Sequence, residues 1–139
     1  MKRLIFFSGL IISAVFACKM QRQTVNIEYN QSEEESRDSI EYSLETFDTK
    51  FETWYALHNS PSHYRTQQYY EGWNRIYVSA WNYNATVPRK NRFFEHIVGY
   101  DPTIDYGFEL NHKLFFYFMY VEKVLNIEIM KGGPRAAHF

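Results

Sequence analysis

Residues 62–84 read SHYRTQQYYEGWNRIYVSAWNYN. Tyr70, Trp73, Tyr77 and Trp81 recur there at spacings of three, four and four. At 100° per residue these rings fall within about 80° of one another on a helix. Ser60-Pro61 supplies an N-cap and a first-turn proline, and Pro88 stops the chain from continuing. The expectation is a long helix over 62–84 with a core face of rings. Gln68, Arg75, Ser79 and Asn82 lie on the opposite side. Asn74 interrupts the ring face and must find partners if buried, as a hydrogen-bond hub or as part of a site.

Two further helices follow from the same periodicity. Asp48 is a good N-cap, and Phe51, Trp54, Tyr55 and Leu57 make an apolar side over 49–58. Over 106–126, Leu110, Leu114, Tyr117, Val121 and Val124 repeat at four, three, four and three, an ordinary packing stripe. Phe115, Phe116 and Met119 face away from that stripe, with His112 nearby. Such a helix is either buried on two sides or exposes an aromatic patch to a partner. Ile40, Tyr42 and Leu44 alternate with polar residues, which predicts a strand over 40–47, and residues 127–130 allow a second. The expected class is therefore α+β and mainly helical: about three helices with one or two short strands.

The N-terminus carries an address. Lys2 and Arg3 precede an apolar run from Leu4 to Phe16, too short to span a bilayer, which takes about 20 residues. A charged start, a short apolar run and a small-residue exit describe a signal peptide over 1–17. The exit Val15-Phe16-Ala17-Cys18 resembles the bacterial lipoprotein box, with Phe16 departing from its small-residue pattern. Cys18, the one cysteine, is the expected lipid anchor; the alternative, which Phe16 leaves open, is ordinary signal-peptidase cleavage after Ala17 and a soluble product. Diacylation plus a third chain exceeds the two signals that stable anchoring needs. Residues 18–39 are polar, with an acidic run at Glu33–Glu35, and read as a disordered tether. Residues 40–139 are left as a single globular domain.

Charge and cysteine usage narrow the function classes. The whole chain has 15 basic and 16 acidic residues. Without residues 1–17 there are 13 and 16, a net −3. So mild and mixed a balance gives no reason to expect nucleic acid. No disulfide or Cys-based site is available inside the domain. Glu109 and His112 form an E-x-x-H step, but metal sites of that kind need a second copy from another helix, and none is present. Glu109 and Lys113 are spaced instead for a helix salt bridge. No cofactor or metal is expected. No Gly-x-Ser-x-Gly turn occurs; Glu71 and Glu109 could form a glycosidase pair only if the fold brought them together.

The strings QQYYEGWN (67–74), YVSAWN (77–82), YDPTIDYG (100–107), ELNHKLFFYF (109–118) and GPRAAHF (133–139) occur together. With them the chain resembles a family of small Bacteroidota lipoproteins known as a domain of unknown function. The resemblance implies an envelope lipoprotein at the outer membrane and carries no activity with it. Lys19-Met20-Gln21-Arg22 lacks the acidic residues of a surface-export signal, which favours the periplasmic side. The leading expectation is a non-catalytic module that binds envelope protein or glycan rather than an enzyme. Its candidate binding residues are Trp73, Asn74, Asn111, His112, Phe115, Phe116 and Met119. The alternatives are a hydrolase of envelope glycan or peptide, using Glu71, Glu109 and His112, and a structural subunit of an envelope assembly.

Overall fold

The computed structural model describes residues 24–30, 41–46, 48–97 and 99–134. The order of elements is strand β1 (Val25–Asn30), strand β2 (Glu41–Thr46), helix α1 (Thr49–His58), a 3-10 turn (Pro61–His63), helix α2 (Gln67–Thr86) and helix α3 (Gly107–Lys123). The fold is α+β and mainly helical. β1 and β2 form an antiparallel hairpin in which Val25 faces Thr46 and Ile27 faces Leu44.

The helix α3 is the axis of the domain. Leu110, Leu114, Tyr117 and Val121 are buried as the stripe requires, but so are Phe115, Phe116, Phe118, Met119 and Tyr120. α2 covers one side, with Tyr70 against Phe115 and Tyr77 stacked on Phe118 at 5.0 Å. α1 covers another, where Phe51 meets Tyr117 edge-on at 5.0 Å and Trp54 and Tyr55 approach Phe116. Leu57 takes no part in this; it is 78% exposed on the far side of α1. Val124, past the end of α3, is exposed as well.

Three sequence expectations need correction. The helix expected from 62 begins at Gln67, because Thr66 is the cap: its hydroxyl accepts from Tyr69 N at 3.2 Å. Ser60 turns its hydroxyl to Ser62 instead, and Pro61 opens only the short 3-10 turn. Residues 127–130 form no strand: Ile127 N turns back to Val121 O of α3, and side chains take the groups of Ile129 and Met130. Ile129 N and Met130 N donate to Glu122 Oε1, and Ile129 O accepts from Asn84 Nδ2 at 2.8 Å. Finally, β1 lies inside the segment taken for a tether. Val25, Ile27 and Tyr29 alternate with Asn26, Glu28 and Asn30, a period-two signal that the polar average of the segment conceals. The rest of 18–39, apart from Thr24, lies outside the described residues, as does Cys18.

β1 is locked to the domain at Gly99. This residue has φ +85°, and a Cβ there would sit 2.7 Å from Ile27 O. Thr24 Oγ1 adds a 2.6 Å hydrogen bond to Glu95. Gly99→Ala is expected to cost about 2 kcal/mol, from left-handed strain plus the collision with β1. Amide exchange should show the loss concentrated in residues 25–30; a variant as protected there as wild type would contradict the clamp.

On its outer side α2 carries a second apolar row: Tyr69, Trp73, Ile76, Ala80 and Tyr83, at spacings of four, three, four and three. Ile76 is 51% and Tyr83 69% exposed. Trp73 belongs to this row rather than to the core face, which is Tyr70, Asn74, Tyr77, Trp81 and Asn84.

Candidate functional site

The first half of α2, the loop 100–105 and the start of α3 line a cavity of about 250 Å³ that is open to solvent on one side. That is room for a small group such as one sugar ring or one amino acid. Gln67, Glu71 and Arg75 enter from α2, one turn apart, on its polar side. Tyr100 and Asp105 enter from the loop and Asn111 from α3.

The loop is held by its own hydrogen bonds. Tyr106 Oη donates to Gly99 O at 2.7 Å and accepts from Asp101 N at 2.6 Å. Asp101 Oδ1 accepts from Thr103 N and Oγ1. Those donors stabilise the ionised carboxylate and lower its pKa. Asp105 Oδ1 accepts from Gly107 N at 2.9 Å, closing the turn into α3, where Gly107 has φ +74°.

Gln67 joins the two walls. Its Nε2 donates to Glu71 Oε1 and to Asp105 Oδ1, both at 2.7 Å. The two carboxylates therefore stand no farther apart than two such bonds end to end. Burial pushes the Tyr100 phenol up, partly offset by the Arg75 charge, so these two groups influence each other across the cavity.

Asn111 of the inner wall is backed by a second buried amide, Asn74. Asn74 Nδ2 donates to Asn111 O at 2.8 Å and to Asn111 Oδ1 at 3.1 Å, while Asn111 Nδ2 donates to Gly107 O. Asn74 is thus the hub that its place among aromatic rings required. Asn74 Oδ1 is buried with no donor among the described residues.

The remaining predicted residues are elsewhere. Phe115 (5% exposed), Phe116 (4%) and Met119 (1%) are core, so α3 presents no aromatic patch to a partner. Tyr69 and Tyr70 of α2 cover Phe115, and Trp54 and Tyr55 of α1 cover Phe116. Trp73 is half-buried in the outer row of α2, 6.3 Å from the Tyr77 ring. His112 is fully buried, walled by Tyr55, Tyr64, Tyr70, Phe108 and Phe116. Its Nδ1 lies 2.9 Å from Tyr55 Oη, its Nε2 has no partner among the described residues, and burial lowers its pKa to about 4.

The hydrolase set does not converge. Glu109 is exposed and His112 sealed, and neither lines the cavity. Lys113 pairs with Glu52 of α1 at 3.0 Å rather than with Glu109. Among the described residues no group of three or more His, Cys, Asp or Glu could hold a metal ion. No described helix is long and apolar enough to cross a membrane.

Of the cavity residues, sequence reasoning singled out Glu71, Asn111 and, behind the wall, Asn74. It missed Gln67, Arg75, Tyr100 and Asp105. The ladder Gln67, Glu71, Arg75 at spacings of four was the available signal.

No curated protein and no solved structure matches the chain. Residues 4–132 match DUF6146, described as a family of unknown function. That match spans most of the sequence, and the chain belongs to this family of unknown function.

Proposed function

We propose that the chain is an exported envelope lipoprotein, anchored through Cys18 and facing the periplasm. Its domain is a non-catalytic binding module that takes a small polar group of an envelope glycan or peptide into the cavity between α2 and the loop 100–105. The observation that supports this is the Gln67 bridge, which pre-organises Glu71 and Asp105 on opposite walls before any ligand arrives. Groups fixed in advance lose little entropy on binding. The former candidate surface on α3 contributes nothing to this reading, because it is core.

Calorimetric titration of the purified chain with envelope oligosaccharides and peptides tests the site. Saturable binding is expected, and Glu71→Gln combined with Tyr100→Ala should weaken it at least tenfold, as loss of a charge-assisted hydrogen bond does, with the fold intact by circular dichroism. No saturable binding, or binding indifferent to both changes, would sink it. The hydrolase alternative keeps one support, the closeness of Glu71 and Asp105 to each other; cleaved ligand recovered from the titration cell would decide for it. For the anchor, metabolic labelling with radioactive palmitate should mark wild type and leave Cys18→Ala unlabelled.

A further inference from the structure

The ion pairs that do not form in the cavity carry the most information. Glu71 and Arg75 are spaced at i and i+4 on an exposed helix side, the arrangement in which such residues ordinarily pair. Here Glu71 is drawn back one turn to Gln67, and the ion pair found among the described residues lies elsewhere, between Lys113 and Glu52. Among the described residues Arg75 has no carboxylate partner. Glu71 Oε2 and Asp105 Oδ2 likewise accept from no donor there; every bond to these two side chains is made on the other oxygen. One small cavity thus holds two carboxylate oxygens and a guanidinium whose charges are not spent on each other.

The amide nitrogen of Gln67 shows what the acidic end accepts. It is a nitrogen with two hydrogens shared between two carboxylates, and a primary ammonium offers the same contact with a full charge and one more hydrogen. At the other end, the Arg75 guanidinium offers a planar pair of donors that suits a carboxylate. Tyr100 lines the same cavity, near enough to Arg75 and Glu71 to feel both charges.

Resting on the cavity as the ligand site, we infer that it takes a small zwitterion, with an ammonium on Glu71 and Asp105 and a carboxylate on Arg75. This ligand class is an amino acid or the exposed end of a peptide bearing both charges, rather than a neutral sugar.

The test uses the full chain, isotope-labelled, with an amino-carboxylate series of graded length: glycine, β-alanine, 4-aminobutyrate and 6-aminohexanoate. At least one member is expected to shift the amide resonances of residues 67–75 and 100–107. N-acetylation or methyl esterification of that member should each weaken binding about tenfold or more. Glu71→Gln should abolish the sensitivity to acetylation and leave that to esterification, and Arg75→Gln should do the reverse. A merely structural role for either residue would not split the two responses.

If none of the four moves the cavity amides, or the capped forms bind as well, the inference is overturned. A neutral sugar shifting those same amides while the series fails would leave the cavity as the ligand site and remove the zwitterion. Failure of sugars, peptides and series together would remove both.

Discussion

Trp81→Ala is expected to lower stability by about 4 kcal/mol, on the scale of the 5–15 kcal/mol that holds a domain of this size together. Trp81 is fully buried at the meeting of α2, α3 and the turn that follows α2. Its ring lies 4.8 Å from Phe94, 5.8 Å from Tyr117 and 5.8 Å from Phe118. Its Nε1 donates to Glu95 O. Truncation leaves a cavity among rings too rigid to collapse into it, and removes that carbonyl's indole donor. For a domain of about 100 residues the melting temperature should fall by roughly 20 °C. Trp73→Ala, in the half-exposed outer row of the same helix, is expected to cost no more than about 1 kcal/mol. Thermal melts of the two variants side by side check the difference. Equal losses would mean that Trp73 and Trp81 share one buried face, as their spacing alone had suggested.

Acid should destabilise the protein through His112, by roughly 3 kcal/mol in all. The imidazole is enclosed by five aromatic rings, and the hydroxyl of Tyr55 is the neighbour that bonds it. Burial places its pKa at about 4 in the fold, against an ordinary 6.5. Between those values the unfolded chain binds a proton that the folded chain refuses, so stability rises with pH across the window. It is whole above about 6.5 and drains away as the pH falls towards 4. The other titratable side chains against this ring are Tyr55, Tyr64 and Tyr70. Urea unfolding at intervals from pH 4 to 8, for wild type and His112→Leu, isolates the contribution. The variant should be weaker at pH 7, where Tyr55 loses its partner, and should lack this part of the acid slope. Parallel curves for the two proteins would refute it.

Periodicity carried the helices because each apolar row lies within one segment. The 49–58 helix and the strand near 41–46 were legible to within a residue or so. What covers a row was not legible. The back face of α3 is plain in the sequence, but only the packing shows that Trp54 and Tyr55 of α1 and Tyr69 and Tyr70 of α2 bury it rather than a partner. The end of the chain was misjudged for a related reason: an apolar run whose backbone is satisfied by Glu122 and Asn84 looks like a strand to any local criterion. The site was legible in part. Asn74 announced a buried partner by standing among rings, and that partner proved to be Asn111. The link from Gln67 to Asp105 spans 38 positions, and nothing local to either residue signals it.

The hairpin strand that emerged from the supposed tether resets the length of the leash. If Cys18 carries the lipid as proposed, only seven residue steps separate it from Val25, where the chain joins the domain. Fully extended, they reach about 25 Å, against about 75 Å for a leash running to residue 40. The domain would then graze the bilayer surface instead of sampling the depth of the periplasm, and its ligand would have to come to the membrane to be met.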